Sequence, residues 1–202
     1  MVRSIPSPAG GVLRPARSGH SLPHGERMNR EDLEAELERE HPSAFAWALR
    51  CAGGGREEAE DALHTAYERI LDGRAGFAGQ SSFRTWLFGV IRRTAQEERR
   101  RGWLRVERLR RWFGRNSAGG PERVGADDAG LDLERRETAG RLGEALARLS
   151  GRQRQLMHLV FYQDLSVQEA ADVLGVPVGT ARTHYERGKA RLRALLVGED
   201  LR

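Results

Sequence analysis

Residues 165–193 read LSVQEAADVLGVPVGTARTHYERGKARLR and contain two helical patterns separated by a Gly-Val-Pro hinge. Ser166 and Glu169 form a capping box, in which the hydroxyl and the carboxylate bind the free amides of a helix's first turn. Gly175 suits the left-handed conformation that commonly ends a helix, and Pro177 suits the start of the next helix because its φ is already helical. The stretch therefore predicts two helices joined by a tight turn.

The second of these helices is predicted to have an apolar and a polar face. Apolar or small residues recur at steps of three and four and are expected to face inward, namely Ala181, Tyr185, Gly188, Leu192 and Leu195. The opposite face carries Thr183, Glu186, Arg187 and Ala190, flanked by Thr180, Arg182 and His184. Such a helix pair is typical of a helix-turn-helix, whose second helix reads DNA in the major groove. The alternative is a helical hairpin with a solvated basic face; the tight turn and the basic excess favour DNA binding.

The composition is basic and poor in cysteine. The chain has 202 residues and a net charge of +5, and Lys189 is its one lysine among 34 basic residues. This balance favours a polyanionic partner, because arginine releases counterions when it neutralises phosphates, although an arginine bias equally fits a GC-rich genome. Cys51 is the single cysteine, so no disulfide can form within the chain, which suits a reducing cytoplasm. It lies in an apolar run and is expected to be a small core residue. No apolar run approaches the ~20 residues of a membrane span, so membrane insertion is not expected.

Residues 1–27 are rich in Pro, Gly, Ser and Arg and lack the apolar centre of a secretory signal. We predict that this segment is a disordered tail. Met28 directly precedes the first helical pattern and is a candidate for the natural start.

From Arg30 onward the pattern is helical and shows no alternation typical of strands, which predicts an all-α fold of two small domains joined by a flexible linker. The first domain, 28–101, holds a core helix ending at the glycines 53–55, a helix over 56–71, and a third helix that begins near Ser81 or Ser82. The third helix is predicted to bury Phe83, Trp86, Leu87, Val90 and Ile91.

A basic tract follows the third helix. Nine arginines and three glutamates lie between Arg92 and Arg111, with Trp103 and Trp112 interleaved. Such a tract suits nucleic acid, because rings stack on unpaired bases; equally, the two tryptophans could pack on their own domain. Residues 102–136 are predicted to form a basic and then flexible linker, and 137–202 a second domain that contains the helix-turn-helix.

With these segments, the chain resembles a bacterial RNA polymerase sigma factor of the extracytoplasmic-function type, which keeps only region 2 and region 4. AEDALHTAYERIL (59–71) is similar to the family's helix that docks on the β′ clamp of the polymerase, and FAGQSSFRTWLFGVIRR (77–93) to the segment that melts and reads the −10 element. The residues from LSGRQRQLM onward resemble region 4, and GTARTHYERGKARLR (179–193) is the specific part of that match.

The resemblance implies three groups of site residues. The polymerase-binding residues would be Asp61, His64 and Arg69. Those at the −10 element and melted strand would be Phe77, Ser81, Ser82, Phe83, Trp86, Arg92, Arg93, Arg100 and Arg101. Those reading the −35 element would be Thr180, Arg182, Thr183, His184, Glu186 and Arg187, where Glu186 either accepts from cytosine N4 or repels phosphate. The implied partners are core RNA polymerase (β′ clamp and β flap), promoter DNA and an anti-sigma factor, in the cytoplasm and associated with the nucleoid.

The other possible functions are those of an enzyme and of a helix-turn-helix regulator. The sequence has no phosphate-binding glycine loop, no metal-spaced Cys/His set and no His-Glu-x-x-His helix, so no catalytic residue, metal or cofactor is expected. A helix-turn-helix regulator that acts without polymerase docking remains the alternative. Its usual receiver domain needs parallel strands, for which the first domain is too short and too helical.

Overall fold

The computed structural model describes residues 28–113 and 133–199, with side chains over 28–103 and 140–196. These residues form helices and no strand, so the predicted all-α class is confirmed. The helices are α1 (Arg30–Ala52), α2 (Arg56–Leu71), α3 (Phe83–Phe113), α4 (Leu133–Ala147), α5 (Gly151–Phe161), α6 (Val167–Leu174) and α7 (Val178–Glu199). The predicted disordered tail (1–27) and the predicted flexible part of the linker (114–130) lie outside the described residues. No described helix is long and apolar enough to cross a membrane.

The ends of the helices follow from local side-chain chemistry. The Asn29 side chain accepts from the amide of Asp32 at the start of α1. Gly53, with a φ of 90°, ends that helix as predicted, because only glycine takes this conformation without strain. At the start of α3, Ser82 is the capping residue, since its hydroxyl accepts from the amide of Thr85 at 3.2 Å.

The helix-turn-helix has the predicted local structure. The Ser166 hydroxyl accepts from the Glu169 amide, and the Glu169 carboxylate accepts from the Ser166 amide at 2.8 Å. Gly175 ends α6 with a φ of 61°, and α7 begins immediately after Pro177. A second capping box, not predicted above, starts α5 at Ser150 with Gln153.

Helices α1, α2 and α3 pack together as a first unit around fully buried Trp47, Leu87, Phe88 and Ile91. Trp86, expected to be buried, is half-buried, whereas Phe88 is completely inaccessible. The reason is that α3 is covered on more than one side, by α1 and α2 and also by α6. Helix α3 runs past residue 101, the predicted end of the first domain, and includes the basic tract to Phe113.

Helices α4 to α7 form a second unit, which lies directly against the first. Buried residues of both units belong to one apolar cluster, and α3 packs on α6. The Trp47 ring of α1 stacks on the His158 ring of α5, with centroids 5.7 Å apart. Contact between the units was not predicted from the sequence.

Candidate DNA-binding and partner-binding surfaces

Helix α7 presents the residues that the sequence assigns to base reading. Thr180, Arg182, Thr183, Glu186 and Arg187 are exposed, and His184 is half-buried. On the opposite face Ala181 is buried and Tyr185 is partly buried, as predicted. The polar face of α7 is therefore open over its first turns, where a recognition helix contacts base edges.

Gly188 explains how closely α7 approaches α5. A Cβ added at Gly188 would lie 2.6 Å from the terminal methyl group of Met157, which is itself buried. The glycine thus leaves room for the Met157 methyl group on the face of α7 that is turned toward α5.

The charges on this face suit a polyanion. Within the described residues, no acidic partner is found for Arg182 or Arg187, so both guanidinium groups can meet phosphates or guanine edges. Glu186 lies 3.6 Å from the ammonium group of Lys189, which also sits 5.0 Å from the centre of the Tyr185 ring. Lys189 thus offsets part of the repulsion that Glu186 would exert on a phosphate.

Helix α2 exposes two of its three predicted partner-binding residues. Asp61 is exposed, and the His64 side chain, 79% exposed, lies 3.3 Å from the Glu68 carboxylate. Arg69 is placed differently: it donates to the Glu97 carboxylate at 2.8 Å and to the hydroxyl of buried Thr94 at 3.3 Å. The structure therefore groups Asp61 with His64 and turns Arg69 toward α3, because the acid on α3 attracts it.

A groove of about 280 Å³ lies between α1 and α2 and borders His64. On its walls the Arg56 guanidinium lies 5.5 Å from the centre of the Phe45 ring, and the Tyr67 hydroxyl oxygen lies 3.2 Å from His41 Nδ1. Burial, with a smaller contribution from nearby Glu40, raises the pKa of Tyr67 to about 12. The Tyr67 hydroxyl therefore stays neutral at physiological pH. The groove is partly apolar and lies beside the acidic face of α2.

The predicted −10 segment contains an aromatic cluster. Phe77, Phe83 and Trp86 contact one another, with centroid distances of 5.2 to 5.6 Å, while Ser82 is exposed and Ser81 half-exposed. Phe83 is buried, whereas the other two rings are half-buried. The cluster thus holds the loop in place and leaves ring surface and hydroxyls accessible at its edge.

The four arginines assigned to the melted strand do not form one surface. Arg93 and Arg100 are exposed, and Arg101, also exposed, pairs with Glu98 at 3.0 Å. Arg92 is only 9% exposed, because it lies on the side of α3 that faces the second unit. Burial lowers the pKa of Arg92 and the charge of Arg152 lowers it further. Arg92 is thus out of reach of a DNA strand in this arrangement, contrary to the expectation that the four act together.

Trp103 projects from α3 with 62% of its surface exposed. Packing on its own domain therefore does not account for Trp103, and the ring is accessible for stacking. Nothing is described for the side chain of Trp112, which lies outside the described side chains.

Arg84 is a residue of this region that the sequence did not single out. Its guanidinium donates to the buried carboxylate of Glu40 at 2.7 Å and to the Gln163 carbonyl of the second unit at 3.5 Å. Its position two residues after the Ser82 cap was visible in the sequence, but its acid partner on α1 was not. No group of His, Cys, Asp and Glu suited to a metal ion occurs among the described residues.

Comparisons with known proteins agree in both halves of the chain. The family described as Sigma-70 region 2 matches residues 37–105, and the family described as Sigma-70, region 4 matches residues 139–192. The chain is 30% identical to the ECF RNA polymerase sigma factor RpoE of Cereibacter sphaeroides, over 70% of this chain and 72% of that protein. It is 26% identical to the ECF RNA polymerase sigma factor EcfG of Rhodopseudomonas palustris, over 83% of this chain and 84% of that protein.

A solved structure shares the arrangement of helices. It is the sigma factor RpoE in complex with the anti-sigma factor NepR from Bartonella quintana, which superposes with a TM-score of 0.60 at 25% identity. The match covers 82% of this chain and 97% of that one.

Proposed function

The chain belongs to the extracytoplasmic-function sigma factors, which direct transcription initiation by RNA polymerase, and we propose that its two units divide this task. In the proposal, the first unit binds core polymerase and opens the −10 element. The second unit reads the −35 element. The protein acts by binding, without catalysis of its own, in the cytoplasm and on the nucleoid.

The first unit would dock on the β′ clamp through the exposed face of α2. Asp61 and His64 support this role because they are exposed on the same helix and are not needed to hold the first unit together. The loop around Ser81 and Ser82 would then receive a base flipped from the non-template strand. Capture of an unstacked base favours the open duplex, which is how binding energy alone can melt a promoter.

The second unit would insert α7 into the major groove at the −35 element. The observation that carries the proposal is the open face around Arg182 and Arg187, directly after the tight turn at Gly175. Arginine is the commonest reader of guanine, and each such contact is worth about 1 to 3 kcal/mol of discrimination. The β flap would hold this unit on the polymerase.

An anti-sigma factor is the third proposed partner. The Bartonella quintana relative with the same arrangement of helices was solved bound to one. We therefore expect this chain to be held inactive by such a protein until a signal releases it.

The test is reconstitution with core polymerase. The full chain should co-elute with core polymerase and give run-off transcripts from a promoter selected from a DNA library, and Asp61→Ala should weaken both. Sequence-specific DNA binding without any association with core polymerase would instead support the alternative, a helix-turn-helix regulator that acts alone.

A further inference from the structure

The contact between the two units is built around one histidine. The His158 ring lies between Trp47 of α1, with centroids 5.7 Å apart at 24°, and Tyr162, with centroids 5.4 Å apart at 15°. Trp47 is completely buried, and its indole N–H donates to the Phe88 carbonyl at 3.0 Å, so its position is fixed by the first unit. The ring stack (Trp47, His158 and Tyr162) thus joins α1 to α5.

A hydrogen bond ties the imidazole of this stack to the residues after α5. His158 Nε2 lies 3.2 Å from the side-chain amide nitrogen of buried Gln163. Arg84 of α3, which is paired with Glu40 of α1, reaches the carbonyl of the same Gln163.

The charged residue that acts on the pKa of His158 is positive. From α1, Arg50 faces His158, and it also faces Arg154 of α5. Arg154 is held by the carbonyls of residues 146, 147 and 149 at the end of α4. Farther along the same interface, Arg92 of α3 faces Arg152 of α5. A further positive charge on His158 would add to a repulsion that already opposes the contact.

The closed arrangement is too short to span a promoter. A compact body of about 150 residues has a radius of gyration of about 15 Å and hence a diameter of about 40 Å. Elements centred at −35 and −10 are about 25 base pairs apart, which is about 85 Å along B-DNA. On the proposed function, the units must therefore separate before both elements are bound.

We propose that the stack of His158 on Trp47 is a latch that holds the sigma factor closed, and that protonation of His158 releases it. The idea that release matters for initiation rests on the proposed function. The latch itself is a property of the free chain and can be measured without polymerase or DNA.

The direction of the effect follows from the histidine's environment. Burial, and then the charge of Arg50, lowers the pKa of His158 from 6.5 to about 4. In the open chain the ring is hydrated, and its pKa returns toward the ordinary value. Below about pH 6.5 His158 binds a proton in the open state but stays unprotonated in the closed state. The closed state therefore becomes less stable relative to the open state as the pH falls, until His158 is also protonated in the closed state below about pH 4. With these two values, the ratio of open to closed molecules rises about tenfold between pH 7.5 and 5.5.

The test is single-molecule energy transfer in the full chain. Dyes are attached at Glu57→Cys on α2 and Ala190→Cys on α7, both exposed positions, in a Cys51→Ala background that removes the natural thiol. The ratio of low-transfer to high-transfer molecules is counted from pH 7.5 to 5.5, and circular dichroism confirms that the helices persist. His158→Phe keeps a stacking ring that cannot be protonated. His41→Gln, at an exposed histidine of α1, is the matched control.

The latch predicts an increase of about tenfold in that ratio for the labelled parent and for His41→Gln, and no change for His158→Phe. An equal increase in His158→Phe would overturn it, and so would a parent that stays closed at pH 5.5. Failure of the proposed function would look different, as a chain that opens on acidification yet never associates with core polymerase.

Discussion

Arg69→Ala should lower the stability of the fold, whereas Asp61→Ala should lower the affinity for core polymerase. Both residues lie on α2, and both were assigned to polymerase binding from the sequence. Arg69→Ala should destabilise the fold, because its guanidinium bonds to Glu97 and to the buried hydroxyl of Thr94. Asp61→Ala should leave stability unchanged within about 0.5 kcal/mol, since the side chain is exposed.

The size of the Arg69 effect can be bounded from its exposure. A buried hydrogen bond to a charged group contributes about 1.5 to 3 kcal/mol, whereas an exposed ion pair contributes less than about 1 kcal/mol. The Arg69 side chain is 21% exposed and that of Glu97 43%, so this interaction lies between the two limits. We expect a loss of about 1 to 2 kcal/mol, which lowers the melting temperature by about 3 to 6 °C in a protein of this size.

Two assays separate the roles. Urea unfolding followed by circular dichroism gives the stability of each variant, and binding to core polymerase is measured well below the melting temperature. Asp61→Ala should lose polymerase affinity at wild-type stability. Arg69→Ala should lose stability and keep most of its affinity while folded. If Arg69→Ala instead kept its melting temperature and lost affinity as Asp61→Ala does, Arg69 would be a docking residue and the argument from its ion pair would be wrong.

Three further predictions concern other parts of the chain. In full-length protein, Arg187→Ala should weaken −35 binding by about 1 to 3 kcal/mol and relax the base preference if Arg187 contacts a base. If Arg187 contacts a phosphate, the variant should show a smaller dependence of affinity on salt and no change in base preference. Binding to a DNA library at several salt concentrations measures both quantities. Arg84→Met should cost more unfolding free energy than Glu40→Gln in urea titrations, because among the described residues it leaves the Glu40 carboxylate, only 7% exposed, with just the longer 3.8 Å contact to Arg39, whereas Arg84 is 37% exposed and can turn to water; equal costs would contradict this. Deleting residues 1–27 should leave folding and promoter-directed transcription nearly unchanged, since they lack a core pattern, and a tenfold loss of transcript would reveal a role for them.

Features set by neighbouring residues were predictable from the sequence. The capping box at Ser166 and the helix ends at Gly53 and Gly175 depend on chemistry within four positions, and the structure has all three. The faces of α7 were also predictable, because its inner face packs on α5 and α6 and a single stripe of small and apolar residues describes it. The fold class and the exposed and buried faces of α7 could thus be inferred from local patterns.

Features set by contacts between distant helices were not predictable. Phe88 falls outside the stripe assigned to α3, yet it is fully buried because α3 is covered on more than one side. Arg69 and Arg92 both look like exposed basic residues in the sequence. Arg69 pairs with the Glu97 carboxylate of α3, and Arg92 is covered by the second unit. Neither partner could be identified without knowing which helices meet.

Arg92 links the closed arrangement to the proposed mechanism. Its Nε atom is buried and finds no acceptor among the described residues, and its charged neighbour across the interface is Arg152, also positive. Like charges that face each other repel, so this pair weakens the closed contact that the ring stack supports. Separation of the units would return Arg92 to water, on the same helix as Arg93 and Arg100, where phosphates of a melted strand could pair with it. The closed state therefore covers one of the arginines proposed to bind the melted strand, while Asp61 and the polar face of α7 remain exposed in it. On this reasoning, docking on polymerase and reading of the −35 element can begin before the chain opens, and capture of the melted strand follows the opening.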